Sequence, residues 1–423
     1  MIRHFFISLL LITAVTGCAV NPVTGESELS LVSAQQEVAI GEENYLVYQQ
    51  QQGGEYVLDD DLTPYVAEVG QTLARVSDRP ELPYEFVVLN NNVPNAWALP
   101  GGKIAINRGL LVVLEDEAQL AAVLGHEIVH AAARHGAQKM TQQQILGAGV
   151  ALVSIAGTQT DYGEYIGMGA MGGAAMYQAH YGRSQELQSD RYGMEYMVRA
   201  GYEPQAAVEL QETFVKLSEG QSSDFFTALF ASHPPSHERV EKNQEMAKSL
   251  PSGKRNREAY QAAIAQIKKD IPAYRKQQEA LNAMQEGEMD KASALLDEAI
   301  KLQPKESLFY VAKGQIQLNQ KAFAEAETSF SKAYEYNPGY FMSSLGLGLA
   351  ERAQKKNAAA KQHLEASTKI VPTPIAMYHL GDIALEGGDK QAAANYFKQV
   401  AQSGGDLGQA ASKKLNEMGY SAQ

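Results

Sequence analysis

Small and large apolar positions recur with a fixed spacing of 34 residues in the C-terminal third of the chain. Ala292, Ala326, Ala360 and Ala394 hold one register, Pro304, Pro338 and Pro372 a second, and Leu302, Tyr336 and Ile370 a third; Leu296, Phe330 and Leu364 follow the alanines by four. A pattern of this period predicts helical hairpins that bury their apolar faces only by stacking on their neighbours. About four hairpins fit between Tyr274 and Val400, and Leu407 to Met418 reads as a capping helix with a polar outer face. The prolines end the second helix of each unit, and Gly287 and Gly387-Gly388 break the turns within units. Upstream the pattern loses its repeat. Leu120, Val123, Leu124 and Ile128 recur at helical spacing behind Asp116-Glu117-Ala118-Gln119, which reads as a capping box, and predict a helix running to about residue 138. Ala96 to Leu99 and Lys103 to Asn107 have strand character on either side of Pro100-Gly101-Gly102. A second helix is predicted around Arg183 to Arg191, with Leu187, Tyr192 and Met194 to Met197 as its packing face.

The period of 34 is that of tetratricopeptide (TPR) repeats, so the expected fold is mainly α: an α+β domain with a small β-sheet, followed by an α-solenoid of TPR hairpins. Ser249 to Asn256 is polar with Pro and Gly, and Arg257 to Lys269 reads as helical again, which puts the boundary between 250 and 272. Such solenoids present a concave surface for a peptide or protein partner, or serve as a brace for the preceding domain.

Two apolar runs bear on the membrane. Arg3 followed by Phe5 to Val15 and then Val15-Thr16-Gly17-Cys18 resembles a bacterial lipoprotein signal, with residues 1–17 removed and Cys18 acylated. Cys18 is the only cysteine among the 423 residues, so the mature chain is expected to have no disulfide and no free thiol. Ala19, in place of an aspartate, favours the outer membrane by the usual sorting rule, with the body in the periplasm. The rival reading, an uncleaved membrane helix, meets a run that is short for a bilayer span. Ile145 to Gly157 is also below spanning length and reads as a packed helix or an interfacial segment. Gly167 to Gly172 spells a dinucleotide-binding fingerprint by letter, but no strand-helix unit surrounds it; a mobile flap over the site and tight helix packing are the two remaining readings. The formal charge of −13 argues against nucleic acid and against broad attraction to anionic lipid, so the lipid is the expected membrane link.

The candidate chemistry lies on the two predicted helices. His126-Glu127-Ile128-Val129-His130 puts two imidazoles four apart on one helical face, with a carboxylate beside them. Two histidines so placed can hold zinc while Glu127 acts as general base at its open position. The class that places Gly three and His six residues after the second histidine is excluded by Ala133 and Gly136. His135 lies roughly half a turn of the helix away from His126 and is expected to be a surface histidine facing away from the metal. A third ligand is available on the second helix, where Glu186 and Asp190 are four apart. Glu186 would complete a His2Glu set, and Asp190 would accept the other ring N–H of a ligating histidine. The alternative for this segment is a solvated helix with an alternating charge pattern.

The HEIVH helix, the segment Arg183 to Gly193, the strand-like Asn95 to Ile106 and the later His233-Pro234-Pro235-Ser236-His237-Glu238-Arg239 together resemble the gluzincin family of prenyl-protein endopeptidases and HtpX-type membrane proteases, including its periplasmic members, over residues 20 to 245. The resemblance implies that His126, His130 and Glu186 hold one Zn2+ per chain, that Glu127 is the base, and that Asp190 supports a ligand. By the same resemblance His233 approaches the zinc as an extra ligand and closes the site, or lies near the substrate; without it, His-Pro is an ordinary turn. Arg239 is a candidate to stabilise the developing oxyanion, or to fasten the loop. His237 falls between the matching positions and is the weaker candidate. Asn95, Ala96, Trp97 and Ala98 are candidates for an edge strand that takes an extended substrate through main-chain hydrogen bonds, against the reading of a buried hairpin.

The expected organisation is therefore a signal peptide at 1–17, a zinc metallopeptidase domain at 18–255 and a TPR domain at 270–420. The expected activity is hydrolysis of peptide bonds in misfolded or misassembled envelope proteins by an enzyme tethered to the periplasmic side of the outer membrane, with the repeats docking on substrates or on assembly machinery. The alternative is a periplasmic chaperone or adaptor for outer-membrane protein assembly, with a mostly closed protease site.

Overall fold

The computed structural model describes residues 18–144, 181–220 and 226–421. The expectations for the leader 1–17, for Ile145 to Gly157 and for Gly167 to Gly172 lie outside the described residues. Two compact units form: the first contains 18–46, 59–144, 181–220 and 226–265, the second 47–58 and 266–421. No described helix is long and apolar enough to cross a membrane.

The first unit opens with a small antiparallel pair, β1 (Cys18–Val20) and β2 (Ser27–Leu29), closed by Asn21, whose side-chain oxygen accepts from Val23 N–H at 2.9 Å. Helices α1 (Ala34–Gln51), whose residues from 47 on belong to the second unit, and α2 (Leu62–Ala74) follow. Strands β3 (Glu85–Leu89), β4 (Ala96–Leu99) and β5 (Lys103–Asn107) form a sheet in the order β3-β5-β4, with β5 parallel to β3 and antiparallel to β4. The central strand β5 is buried at every position, as a strand covered on both faces must be. The β4–β5 hairpin turns at Gly101 and Gly102, both at positive φ (79° and 86°), a conformation that costs glycine little and a side chain more.

After the short α3 (Arg108–Leu111), the central helix α4 (Glu117–Ala132) is buried along almost its whole length. Asp116 caps it by accepting from Gln119 N–H at 2.9 Å. The return bond of the expected capping box goes one residue further back, from Glu115 N–H to Gln119 Oε1, also at 2.9 Å. Glu117 in its first turn accepts from Tyr65, Tyr202 and Asn256, which fastens the helix start to three distant segments. Tyr260, on the helix Arg257–Ala263, is fully buried in the same unit and donates to the Leu111 carbonyl at 2.6 Å.

Helix α5 (Arg183–Arg199) lies directly on α4. Glycine makes the approach possible on both sides: a Cβ on Gly193 would come within 3.0 Å of His126 N, and one on Gly125 within 3.1 Å of Gly193 O. The two backbones thus meet beside the first histidine of the HEIVH motif. Helices α6 (Gln205–Glu219), α7 (Thr227–Ser232) and α8 (His237–Ala247) complete this part of the unit.

In the second unit four helical hairpins follow one another: Ala265–Gln285 with Met289–Leu302, Ser307–Asn319 with Phe323–Tyr336, Phe341–Ala353 with Asn357–Ile370, and Pro374–Glu386 with Lys390–Ala401. Gly405–Glu417 follows as a terminal helix that packs on Lys390–Ala401 through Ala411 and Leu415. The register alanines 292, 326, 360 and 394 are all buried, as are Leu296, Phe330 and Leu364. Phe330 fills the space left by Gly314 and Gly346, where an added Cβ would meet its ring at 2.7 and 2.1 Å. Each hairpin turn needs one residue at positive φ. Gly287 and Gly388 supply it in the first and fourth, whereas Lys321 and Lys355 adopt it in the second and third, at 60° and 61°.

Candidate metal centre

Four buried side chains converge where α4 and α5 meet. One ligand atom from each of His126, His130, Glu186 and His233 lies within 4.8 Å of the others. His126 Nε2 is 3.0 Å from His130 Nε2 and 3.2 Å from His233 Nδ1; Glu186 oxygens lie 3.4 Å from both His126 Nε2 and His130 Nε2, and 3.2 Å from His233 Nδ1. Helix geometry supplies the histidine pair, since residues four apart share a face. The α5 carboxylate faces that pair across the Gly125–Gly193 approach, and His233 arrives at the C-terminal end of α7.

This donor set fits a divalent cation of the zinc type. Lone pairs of imidazoles and a carboxylate aimed at one point repel unless a positive charge lies between them. The separations of 3.0 to 3.4 Å among His126, His130 and Glu186 match the edges of a tetrahedron with bonds of about 2.0–2.1 Å, whereas the set that includes His233 spans up to 4.8 Å. The electrostatics agree. Burial pushes the His126 imidazolium down, but Glu186 and Asp190 outweigh it and hold the group at about 10. Burial likewise pushes Glu186 up, and His233 and His126 outweigh it and hold the carboxyl well below its usual range. The two carboxylates therefore call for positive charge at the centre.

Around the cluster, each remaining group has an identifiable task. Asp190 Oδ1 lies 3.0 Å from His126 Nδ1, on the side of the ring away from the centre. Arg239 holds Asp190 with Nε and Nη2, both at 2.6 Å, donates from Nη1 to the Pro234 carbonyl at 3.1 Å, and brings Nη1 within 2.8 Å of Glu186 Oε2. One guanidinium so ties α8 to α5 and to the loop that carries His233, in the planar fork geometry that suits arginine. Ser236 caps α8 by accepting from Arg239 N–H at 3.3 Å. Glu127 sits beside the cluster, its Oε1 3.4 Å from His233 Nε2, and its Oε2 is buried without a hydrogen-bond donor among the described residues. Burial pushes the Glu127 carboxyl up, while His233 and His126 pull it down. An apolar cavity opens next to it, lined by Ala122, Val123, Met194, Leu210, Phe214 and Leu229.

Of the strand candidates, Ala96 and Ala98 are buried and Asn95 and Trp97 partly so. β4 is, with β3, one of the two outer strands of the sheet among the described residues, and Ala96 lines the cavity with His126 and Glu127. Asn107 N–H donates to the Asn95 carbonyl at 2.9 Å, which sets the phase of the ladder: Asn95, Trp97 and Leu99 turn their main-chain groups to β5, and Ala96 and Ala98 turn theirs outward. The Trp97 ring packs edge-on against Tyr45 at 6.0 Å. His237 is exposed and pairs with Glu219 at 3.0 Å, away from the centre.

His135 is a correction. The expectation of a surface histidine assumed that the HEIVH helix continues. In fact α4 ends at Ala132, Arg134 takes φ of 63°, and a new helix starts at residue 135. Arg134 is drawn into that turn by an ion pair with Glu37 and by donation to the Val32 carbonyl at 2.6 Å, partners about a hundred residues away that leave no local mark in the sequence. His135 is consequently fully buried, with Nδ1 2.9 Å from His130 Nδ1 and Nε2 3.1 Å from Gln188 Oε1. Tyr181 stacks on His130 with ring centroids 3.7 Å apart. Sequence reasoning also missed the pairing of Gly125 with Gly193, although an isolated glycine inside a helical pattern is a signal of close packing.

A buried cluster of this composition on an HExxH helix, backed by a helix-borne glutamate, defines a metallopeptidase. Residues 60–247 match the model of peptidase family M48, and residues 278–341 and 345–407 match a tetratricopeptide repeat model. The chain carries an M48 metallopeptidase domain followed by tetratricopeptide repeats. It is 26% identical over 391 residues to the beta-barrel assembly-enhancing protease of Escherichia coli K12, covering 89% of this chain and 76% of that protein. It is similarly 26% identical to the protein of that name from Yersinia pestis over 386 residues, 88% and 75% of the two chains. The mitochondrial metalloendopeptidase OMA1 of Schizosaccharomyces pombe is 31% identical over 183 residues, 43% of this chain and 52% of that one.

Proposed function

We propose that this chain is a zinc-dependent endopeptidase, tethered through Cys18 to the periplasmic side of the outer membrane, that cleaves misfolded or misassembled envelope proteins. The observation that carries the catalytic part is the convergence of His126, His130 and Glu186 beside a buried Glu127 whose Oε2 has no donor among the described residues. His126, His130 and Glu186 hold the ion. When bound, zinc supplies a Lewis acid that polarises the scissile carbonyl and makes water more acidic near neutral pH. Glu127 accepts the proton of the attacking water and delivers it to the leaving amine, and burial, which pushes its carboxyl up, favours the uptake of that proton. Asp190 fixes the tautomer and ring orientation of His126, and Arg239 holds Asp190 in place. An extended substrate adds to β4 through the outward main-chain groups of Ala96 and Ala98, with an apolar side chain in the cavity beside Glu127. Recognition of that kind reads backbone more than sequence and suits unfolded clients. The relatives named for β-barrel assembly support the envelope setting, and the repeats supply a surface for clients or for assembly machinery.

A second reading, that of a chaperone or adaptor whose site is mostly closed, is favoured by the position of His233. Its Nδ1 lies within 3.2 Å of both His126 Nε2 and Glu186 Oε1, where it takes the place that water or substrate needs. In the endopeptidase reading the same contact is a gate: the loop at 233–236 must swing out before cleavage. Cleavage of an unfolded outer-membrane barrel protein by the wild type, Glu127→Gln and His233→Ala, with zinc measured in each, separates the two. The endopeptidase reading expects cleavage by the wild type, faster cleavage by His233→Ala and none by Glu127→Gln, all holding zinc. If neither the wild type nor His233→Ala cuts while both hold zinc and bind the client, the adaptor reading stands.

A further inference from the structure

The two histidines of the HEIVH motif are supported in different ways. Behind His126 stands a carboxylate, Asp190, whose charge is met by Arg239. Behind His130 stands another imidazole: His135 Nδ1 is 2.9 Å from His130 Nδ1, and the far side of the His135 ring, Nε2, is 3.1 Å from Gln188 Oε1. All three groups are buried or partly buried, and none of the roles assigned above uses His135 or Gln188.

The protons in this chain can be placed by elimination. His130 Nε2 faces the centre, 3.0 Å from His126 Nε2 and 3.4 Å from Glu186 Oε1, so a ligand there needs its lone pair on Nε2 and its hydrogen on Nδ1. Among the described residues that hydrogen has one partner in reach, His135 Nδ1, which must then be an acceptor. A neutral imidazole with its lone pair on Nδ1 carries its hydrogen on Nε2, and this hydrogen meets Gln188 Oε1. The sequence Gln188 Oε1, His135 Nε2–H, His135 Nδ1, His130 Nδ1–H is thus a single consistent set of donors and acceptors. Gln188 stands midway between Glu186 and Asp190 on α5, so that one helix reaches the centre directly through Glu186 and both histidines indirectly.

We infer that His135 is a positioning residue for His130, a neutral acceptor that, with Gln188 behind it, fixes the tautomer and ring orientation His130 needs to bind the metal. This rests on the metal-binding reading above and deepens it. The device adds no charge. The centre already contains Glu186 and borders Asp190 and Glu127, and a third carboxylate at the periphery would raise the repulsion among them.

Three full-length variants test the inference: His135→Phe, which keeps a ring and removes the acceptor; His135→Asn, whose side-chain oxygen can take the place of Nδ1; and Gln188→Leu. Zinc affinity is measured by competition with a chromophoric chelator, the visible spectrum of the cobalt-substituted protein is recorded, and thermal unfolding of the metal-stripped proteins gauges folding. His135→Phe is expected to lose about 10–100-fold in zinc affinity and to alter the cobalt spectrum, with His135→Asn recovering most of both. Gln188→Leu is expected to move both readouts in the same direction by less, and it carries the test should His135→Phe fail to fold. Wild-type affinity and an unchanged spectrum in His135→Phe, or in a folded Gln188→Leu should that variant carry the test, overturn the inference and leave the metal reading intact. A wild type that binds no zinc overturns both.

Discussion

Glycine brings structural elements close together in both units, but to different ends. In the repeat unit, Gly314 and Gly346 make room for the ring of Phe330, and Gly381 does the same for Phe397, so a side chain fills each gap. In the peptidase unit, Gly125 and Gly193 face each other, and the gap is closed by backbone meeting backbone, at His126. The first device is a packing unit copied along the chain, and a lesion in it costs stability. The second sets the distance between the helix that carries two imidazoles and the helix that carries Glu186 and Asp190, so a lesion there reaches the chemistry. Stability and chemistry are therefore expected to separate under mutation in one unit and to move together in the other.

The largest effect should come from a change that leaves both kinds of packing alone. Glu127→Gln removes the base without changing size and is expected to cut turnover by about 10²–10⁴-fold or more while the bound metal is retained, as metal analysis beside a proteolysis assay will show. Phe330→Ala empties the space between Gly314 and Gly346 and should destabilise the repeat unit by about 3–5 kcal/mol. Denaturant unfolding followed by helical circular dichroism measures the loss, and an unchanged zinc content would keep the contrast between the units. Gly193→Ala puts a Cβ at 3.0 Å from His126 N and should cost about 1–3 kcal/mol in thermal unfolding. Unlike Phe330→Ala it should also weaken metal binding, and a variant that loses stability with full zinc affinity would break the comparison. The smallest effect has the opposite sign. Lys355→Gly relieves a side chain held at φ of 61° and is expected to stabilise the repeat unit by up to about 1 kcal/mol.

The same contrast explains what could be read in the sequence. Repeats announce themselves because each position performs its task several times: the buried alanines at 292, 326, 360 and 394 and the hairpin turns recur at the period the helices impose. Even there the positive φ of Lys321 and Lys355 was hidden, since it follows from equivalence with Gly287 and not from the residue type. In the peptidase unit the i,i+4 spacings of His126 with His130 and Glu186 with Asp190 are local, so the two donor pairs were visible. What joins them is not local. His135 was misplaced because the end of α4 depends on Arg134 finding Glu37 and Val32, and no periodicity within the helix reports on partners so distant. Gln188 escaped notice for the same reason, since its task exists only once His135 has turned inward. The loop clamp of Arg239 on Asp190 and Pro234 likewise joins segments about fifty residues apart, and only the type of residue, a planar fork suited to carboxylate, hinted at it.

The central claim, that the α4–α5 approach builds a zinc site around which the chemistry is arranged, is tested most directly by the metal content of the purified full-length chain. The account predicts one zinc per wild-type chain, retained in Glu127→Gln and lost in the double variant His130→Ala with Glu186→Ala, with folding of the repeat unit preserved in all three. A wild type without stoichiometric metal, or a double variant that still holds it, would contradict the account.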